Sequence, residues 1–185
     1  MTVFFLLGLA AVFVLVFWVI SLYNALVRGR NLVREGLSGI DVQLKKRADL
    51  IPNLVETVKG YLTHEREVLQ RVTELRAQSA QAGDVAAKAQ VAGLLGQALG
   101  RLFAVAESYP DLKANQNFLE LQSQLADVEQ SLEMSRRYYN GAVRDYNIAV
   151  ESFPSNIVAG IFQFVQADFF EIDNPGDRAV PSVSF

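Results

Sequence analysis

The sequence predicts an all-α fold: an N-terminal transmembrane helix continuous with an antiparallel cytoplasmic helical bundle of three long helices and a shorter C-terminal helix. Three observations carry this. Residues 3–20 form an uncharged apolar run. Beyond it, apolar residues recur three and four apart through long polar segments, the period of one helix face. Turn signals then divide the chain at Gln81-Ala82-Gly83-Asp84, Tyr109-Pro110-Asp111 and Phe153-Pro154-Ser155. Three parts follow: an anchor and exit over 1–27, a bundle over 28–166 and an aromatic tail over 167–185.

Residues 1–27 carry no charged side chain. The run containing Val3, Phe4 and Leu15 reaches Leu22, about the 20 residues that span a bilayer core. Trp18 and Tyr23 lie at its end, where aromatic side chains favour the interface. A signal peptide would need a basic head, a shorter apolar run and a small-residue cleavage site, none of which is evident. Arg28, Arg30 and Arg34 follow the span, then Lys45, Lys46 and Arg47. The positive-inside rule places the N-terminus outside and the body in the cytoplasm, in a single-pass membrane protein. The same arginines suit anionic lipid headgroups.

Helix one leaves the membrane without a break and runs to about Ala80. Leu26, Val33, Leu37, Ile40 and Leu44 continue its apolar stripe, and Gly29, Gly36 and Gly39 allow either close packing or bending. Residues 39–65 are the most distinctive stretch. Ile40, Leu44, Ile51, Leu54, Val58 and Tyr61 form one seam; Leu50, Val55 and Leu62 offer a second. Pro52 either kinks the helix near Leu50–Ile51 or starts a new one capped by Asp49. Helix two runs over about 85–108 with Asp84 as candidate N-cap, and its many Ala and Gly residues suit tight internal packing. Helix three carries a heptad seam from Phe118 through Leu121, Leu125, Val128, Leu132, Ser135, Tyr139, Ala142, Tyr146 and Ala149 to Phe153, the pattern of a coiled coil or bundle. Ile157 to Val165 form a short helix. The tail beyond, with a turn at Asn174-Pro175-Gly176-Asp177, is either disordered or extended along a groove. One internal echo links Tyr23-Asn24-x-x-Val27-Arg28-x-Arg30-Asn31 to Tyr139-Asn140-x-x-Val143-Arg144-x-Tyr146-Asn147. With helix one continuous, helices one and three run parallel.

Several motifs carry a resemblance. IDVQLKKRADLIPNLVETVKGYLTHE, Glu107-x-Tyr109-Pro110-x-Leu112-Lys113-Ala114-Asn115, Phe118-x-x-Leu121-Gln122, the two Tyr-Asn segments and Phe153-Pro154-Ser155 occur in the order found in the LemA family. The chain resembles that family of bacterial membrane-anchored helical proteins over nearly its whole length. The resemblance implies the architecture above more firmly than an activity. Family members are often encoded beside a membrane zinc protease of the HtpX type, which implies an adaptor role as an alternative.

The residues point away from catalysis, and no cofactor or small-molecule substrate is expected. His64 is the only histidine and there is no cysteine. Val68 stands where H-e-x-x-H would need its second histidine, so the usual zinc sites are excluded. A carboxylate-only site for magnesium or calcium stays open, although nothing resembles a calcium loop. There is no G-x-S-x-G, and the glycines at 93, 96 and 100 lack the Lys-Ser/Thr of a phosphate loop. A net charge of −3 argues against nucleic acid. Asp41, Lys45 and Asp49 form a ladder of alternating sign, with Arg47 and Asn53 nearby, suited to a solvated or partner-facing helix surface. Phe162, Phe164, Phe169, Phe170 and Phe185 add apolar surface near the C-terminus. The expected function is a non-enzymatic scaffold that binds membrane lipid and self-associates into a homo-oligomer; the alternative is an adaptor for another membrane protein.

Overall fold

A computed structural model describes residues 1–62 and 65–171. His64, the turn at 174–177 and Phe185 lie outside the described residues. Among those described there are six helices and no strand: α1 (Thr2–Lys59), α2 (Arg66–Gln81), α3 (Val85–Ala106), α4 (Pro110–Lys113), α5 (Gln116–Glu151) and α6 (Ser155–Ile161). The all-α expectation holds. Two compact units result, neither a continuous stretch of chain. One combines Met1–Ser38 with Arg137–Asp168, and the other Gly39–Arg136 with residues 169–171 of those described.

Among the described residues two helices are long and apolar enough to cross a membrane, α1 and α3. Their burial separates them. The side chains of α1 from Val3 to Phe17 are exposed, whereas α3 buries Ala92, Leu95, Leu99 and Leu102 and is a core helix of the bundle.

Helix one ends earlier than its apolar period suggests. α1 stops at Lys59, Gly60 and Tyr61 form a turn, and α2 begins at Arg66. This additional reversal overturns the parallel arrangement of helices one and three. Within the first unit, a Cβ built on Gly29 would lie 3.1 Å from Tyr146 Cδ2, and one on Gly36 would lie 3.0 Å from Tyr139 Cα. Seven residues forward on α1 answer seven back on α5, so the helices are antiparallel. Their approach is close enough that a methyl group at Gly36 would require the Tyr139 backbone to shift.

Pro52 neither ends nor restarts the helix; it sits inside α1. Its missing N–H leaves the Ala48 carbonyl without the usual helical donor. Arg76 of α2 supplies one, its Nε donating to Ala48 O at 3.2 Å. A neighbouring helix thus satisfies the acceptor that proline orphans.

The first unit is completed by the C-terminal segment. α6 ends in a Schellman turn: Phe164 N donates to Ala159 O at 2.9 Å and Gln163 N to Gly160 O at 3.4 Å, with Gln163 at φ 55°. The chain from Phe164 then runs without regular structure along α5. The Asn147 side chain grips the backbone of Ala167 twice, donating to its carbonyl and accepting from its amide, both at 2.9 Å. The Tyr139 hydroxyl donates to the Asp168 carbonyl at 2.7 Å. Tyr23 meets Phe162 edge-on at 4.8 Å between ring centroids and Phe164 at 5.6 Å. Both tyrosines that open the internal echo therefore hold this same segment.

In the second unit, Ile51, Leu54, Val58 and Leu62 from α1 and its turn join Val72 and Leu75 of α2, Leu95, Leu99 and Leu102 of α3, and Phe118, Leu121 and Leu125 of α5. Leu50 and Val55, the second seam of helix one, are half-buried against this core, so both seams are used within the chain. Asp84 caps α3 by accepting from Ala87 N at 2.7 Å, and Asn115 caps α5 by accepting from Phe118 N at 3.1 Å. The α5 seam is buried at every large position from Phe118 to Tyr146. Phe153 departs from it: the residue lies beyond the end of α5 and is 80% exposed.

Candidate functional site

The signature stretch meets the rest of the second unit at three levels. At the far end of α1, the Asn115 side chain donates to the Tyr61 hydroxyl at 3.1 Å, and the Tyr109 hydroxyl donates to Glu65 at 2.6 Å. The hydrogen bond from Tyr109 to this carboxylate, followed by burial, raises the phenol above its ordinary pKa. Two motifs over 40 residues apart in sequence, around Tyr61 and around Tyr109, are thereby joined.

The middle level is ionic and buried. Arg47 is 3% exposed. Its Nη1 donates to the Ala92 carbonyl at 3.3 Å and its Nη2 lies 3.2 Å from Glu129 Oε2. The other Glu129 oxygen is 3.9 Å from Arg136 Nη1, so one carboxylate bridges two guanidinium groups. Burial depresses the pKa of both arginines, with Glu129 opposing the shift in each. Space for Arg47 comes from Gly96, where a Cβ would stand 3.1 Å from Nη2. Arg136 lies over the Phe170 ring at 5.3 Å. Arg47 is therefore an interior residue and offers no surface to a partner, a correction to the reading of the ladder.

The third level is a groove of about 490 Å³ across α1, α2 and α3. It gathers Asp41, Lys45 and Asp49 from α1, Arg76 from α2 and Lys88 from α3, over a floor that includes Leu44 and Ala48. Lys88 Nζ sits 2.6 Å from Asp41 Oδ1. Lys45 and Asp49 are exposed. Two carboxylates and three cations line one trough, with Lys88 paired to Asp41 and Arg76 bonded to the Ala48 carbonyl. A lone phosphate would meet Asp41 and Asp49. The groove contains no histidine, and among the described residues no group of three or more His, Asp or Glu side chains is placed to hold a metal. A second groove of about 500 Å³, between α2 and α3, is lined by Glu67, Val68, Arg71 and Arg101 among others and contains no residue of α1.

The remaining candidates scatter. Asn53 is exposed on α1. Phe162 and Phe169 are exposed, while Phe164 and Phe170 are buried within their own units, which corrects their reading as free aromatic surface. Arg28 and Arg34 are exposed, but Arg30 lies over the Phe164 ring at 5.0 Å. The Arg47–Glu129–Arg136 group was missed by sequence reasoning. Its only local signal was an arginine on the apolar side of the ladder, three residues after Leu44 and four before Ile51.

Comparison with known proteins finds one family and several relatives. The LemA family model matches residues 36–185. Magnetosome protein MamQ of Magnetospirillum gryphiswaldense is 25% identical over 184 residues, covering 85% of this chain and 68% of that protein. Magnetosome protein MamQ 1 of Paramagnetospirillum magneticum is 24% identical with the same coverage. Protein LemA of Metamycoplasma hominis is 26% identical over 163 residues, covering 81% of this chain and 73% of its own.

Proposed function

The chain belongs to the LemA family, and on that footing we propose that it is a non-enzymatic scaffold anchored in the bacterial cytoplasmic membrane by the start of α1. Its body lies on the cytoplasmic side, and its copies associate with one another. The observation that carries this reading is the mixed-charge groove built from Asp41, Lys45 and Asp49 on the same helix that provides the anchor. Anchoring confines the copies to one plane, so contacts too weak for free solution suffice. Relatives named as magnetosome proteins support a membrane-associated part. The arginines after the span support the orientation.

The test is light scattering of the full-length chain in mild detergent, beside the double variant Lys45→Glu/Asp49→Lys. Exchanging the two charges keeps their pairing one turn apart on α1 but inverts the pattern shown to a neighbour. A multimer of the 20.5 kDa chain that shrinks in the variant is expected. A monomeric wild type would overturn self-association, and an unchanged multimer would move the contact away from the groove. For orientation, a cysteine at Thr2 should react with an impermeant maleimide in intact spheroplasts and one at the exposed Gln78 should not; the reverse pattern would sink the assignment.

A further inference from the structure

We infer that the segment from Phe153 to Val165, with α6 at its centre, is a second membrane contact that lies in the lipid–water interface beside the anchor. The inference rests on residues 3–22 being a membrane span; it does not depend on self-association.

Position comes first. The antiparallel register set by Gly29–Tyr146 and Gly36–Tyr139 places Glu151, the last residue of α5, opposite Asn24. So α5 ends where the apolar run of α1 begins to be exposed. The ring contacts agree independently, since Phe162 packs on Tyr23, the residue that follows the span. Phe164 reaches from Tyr23 toward Arg30, whose guanidinium covers it. All these residues belong to one compact unit.

Composition comes second. Residues 152–167 contain no charged side chain, although Glu151 and Asp168 bound them. Val158, Ala159 and Phe164 face inward and are buried. Outward stand Phe153 at 80% exposure, Ile161 at 70% and Val165 at 75%, with Ile157 and Phe162 about half exposed. A water-soluble surface seldom gathers so many large apolar groups in one short segment. Beside a membrane span they have an obvious solvent. A segment lying in the interface buries an apolar side built of residues such as Phe and Leu about 5–10 Å into the headgroup and acyl boundary. The bilayer would thus hold the body at two points and restrict its swing about the anchor.

The chain has no cysteine, so single-cysteine variants can carry an environment-sensitive NBD fluorophore. Full-length protein labelled at Ile161→Cys, Val165→Cys, Val12→Cys or Gln78→Cys is reconstituted in phosphatidylethanolamine–phosphatidylglycerol vesicles, with and without a mixture of lipids brominated near the headgroup end and near the terminal methyl of the acyl chains, so that both the interface and the bilayer centre are covered. Far-UV circular dichroism selects variants that retain the wild-type helix content, and the two α6 sites back each other. The expected result is blue-shifted emission at positions 161 and 165 that brominated lipid quenches, with water-like, unquenched emission at 78. Water-like emission at both α6 sites, with position 12 quenched, would overturn this inference and leave the anchor standing. An unquenched position 12 would overturn the anchor and this inference together. Blue-shifted emission at 161 that brominated lipid does not quench would mean that another copy of the chain covers α6, and would equally overturn the assignment to lipid.

Discussion

The two units solve the same packing problem with different means. The Gly39–Arg136 unit gathers leucine, isoleucine and phenylalanine from five helices, α1 to α5, and draws its cohesion from a conventional apolar core. The unit containing the N-terminal apolar run has two long helical segments, α6 and a strip of extended chain. Its large buried side chains, Leu26, Val33, Tyr139, Val143, Tyr146 and Phe164 among them, form a thin layer. It relies on glycines that let α5 approach α1 and on side chains that grip backbone: Asn147 on Ala167 and Tyr139 on Asp168. A thin layer cannot bury enough area, so close approach and directional bonds supply the rest. The unit farther along the chain can instead tolerate an expensive feature, a buried guanidinium pair sharing one carboxylate.

The largest effect should come from the apolar core. Leu125→Asp places an unpaired charge among Leu121, Phe118 and their neighbours and should cost about 4 kcal/mol or more. Gln124→Asp, on the exposed side, adds a like charge one turn from Glu120 and should cost a few tenths of a kcal/mol, roughly the scale of helix-surface pairs. Chemical denaturation of the two variants measures the contrast. Equal shifts would mean that α5 does not bury this seam.

The ionic group should give the next effect. Glu129→Gln leaves Arg47 and Arg136 without their shared counter-charge. Removing one partner of a fully buried pair costs about 3–5 kcal/mol. Glu129 is 48% exposed, so about 2 kcal/mol is expected. Arg47→Met combined with Glu129→Leu should recover most of that loss, because an apolar replacement removes the desolvation cost of Arg47 along with the pair. A double variant as unstable as Glu129→Gln would show that Arg47 holds the fold through Ala92 instead.

These two features also show how far the sequence could be read. The α5 seam as far as Tyr146, the N-terminal apolar helix and the Asp84 cap are local patterns, and each appears where its spacing predicts. The end of α1 was not legible, because the apolar period continues through Leu69, Val72 and Leu75 as if Gly60 were a tolerated helical glycine. That one missed turn inverted the expected direction of α5. Arg47 stands among Lys45, Lys46 and Asp49, all exposed, and only partners 45 and 82 residues away, Ala92 and Glu129, bring it inside. Pro52 read as either a kink or a restart, because its compensation, Arg76, lies on another helix. The groove was half visible: its α1 residues were named, while Arg76 and Lys88 depend on the fold.

Glycine substitutions sharpen the comparison between the units. At Gly36 a methyl group would stand 3.0 Å from the Tyr139 backbone, which cannot yield as a side-chain tip can. Overpacking of about 1–3 kcal/mol should outweigh the gain of up to about 1 kcal/mol that alanine brings to a helix. At Gly39, just inside the other unit, the nearest atom to such a methyl is Ser135 Oγ at 3.9 Å. Gly39→Ala should therefore stabilise and Gly36→Ala destabilise. Thermal unfolding of both in detergent tests this, and a matched gain would show that close approach is not what holds α5 to the anchor helix.

The smallest effect concerns Gln163, the one non-glycine residue with positive φ among the described residues. Its left-handed conformation is required by the Schellman turn that ends α6 and aims Phe164 inward. Glycine adopts that conformation without the clash of Cβ against the carbonyl, a cost of about 1–2 kcal/mol for other residues. Part of that gain is lost because glycine makes the unfolded chain more flexible. Gln163 is exposed, so little packing is lost with its side chain. Gln163→Gly should thus stabilise the anchor unit by about 0.5 kcal/mol, and slow hydrogen exchange at the Phe164 amide, which bonds to Ala159. If exchange there quickens while that at Leu125 is unchanged, the glutamine side chain rather than the turn geometry secures the segment. The thin unit would then depend on one more side-chain clasp of the kind already made by Asn147 and Tyr139.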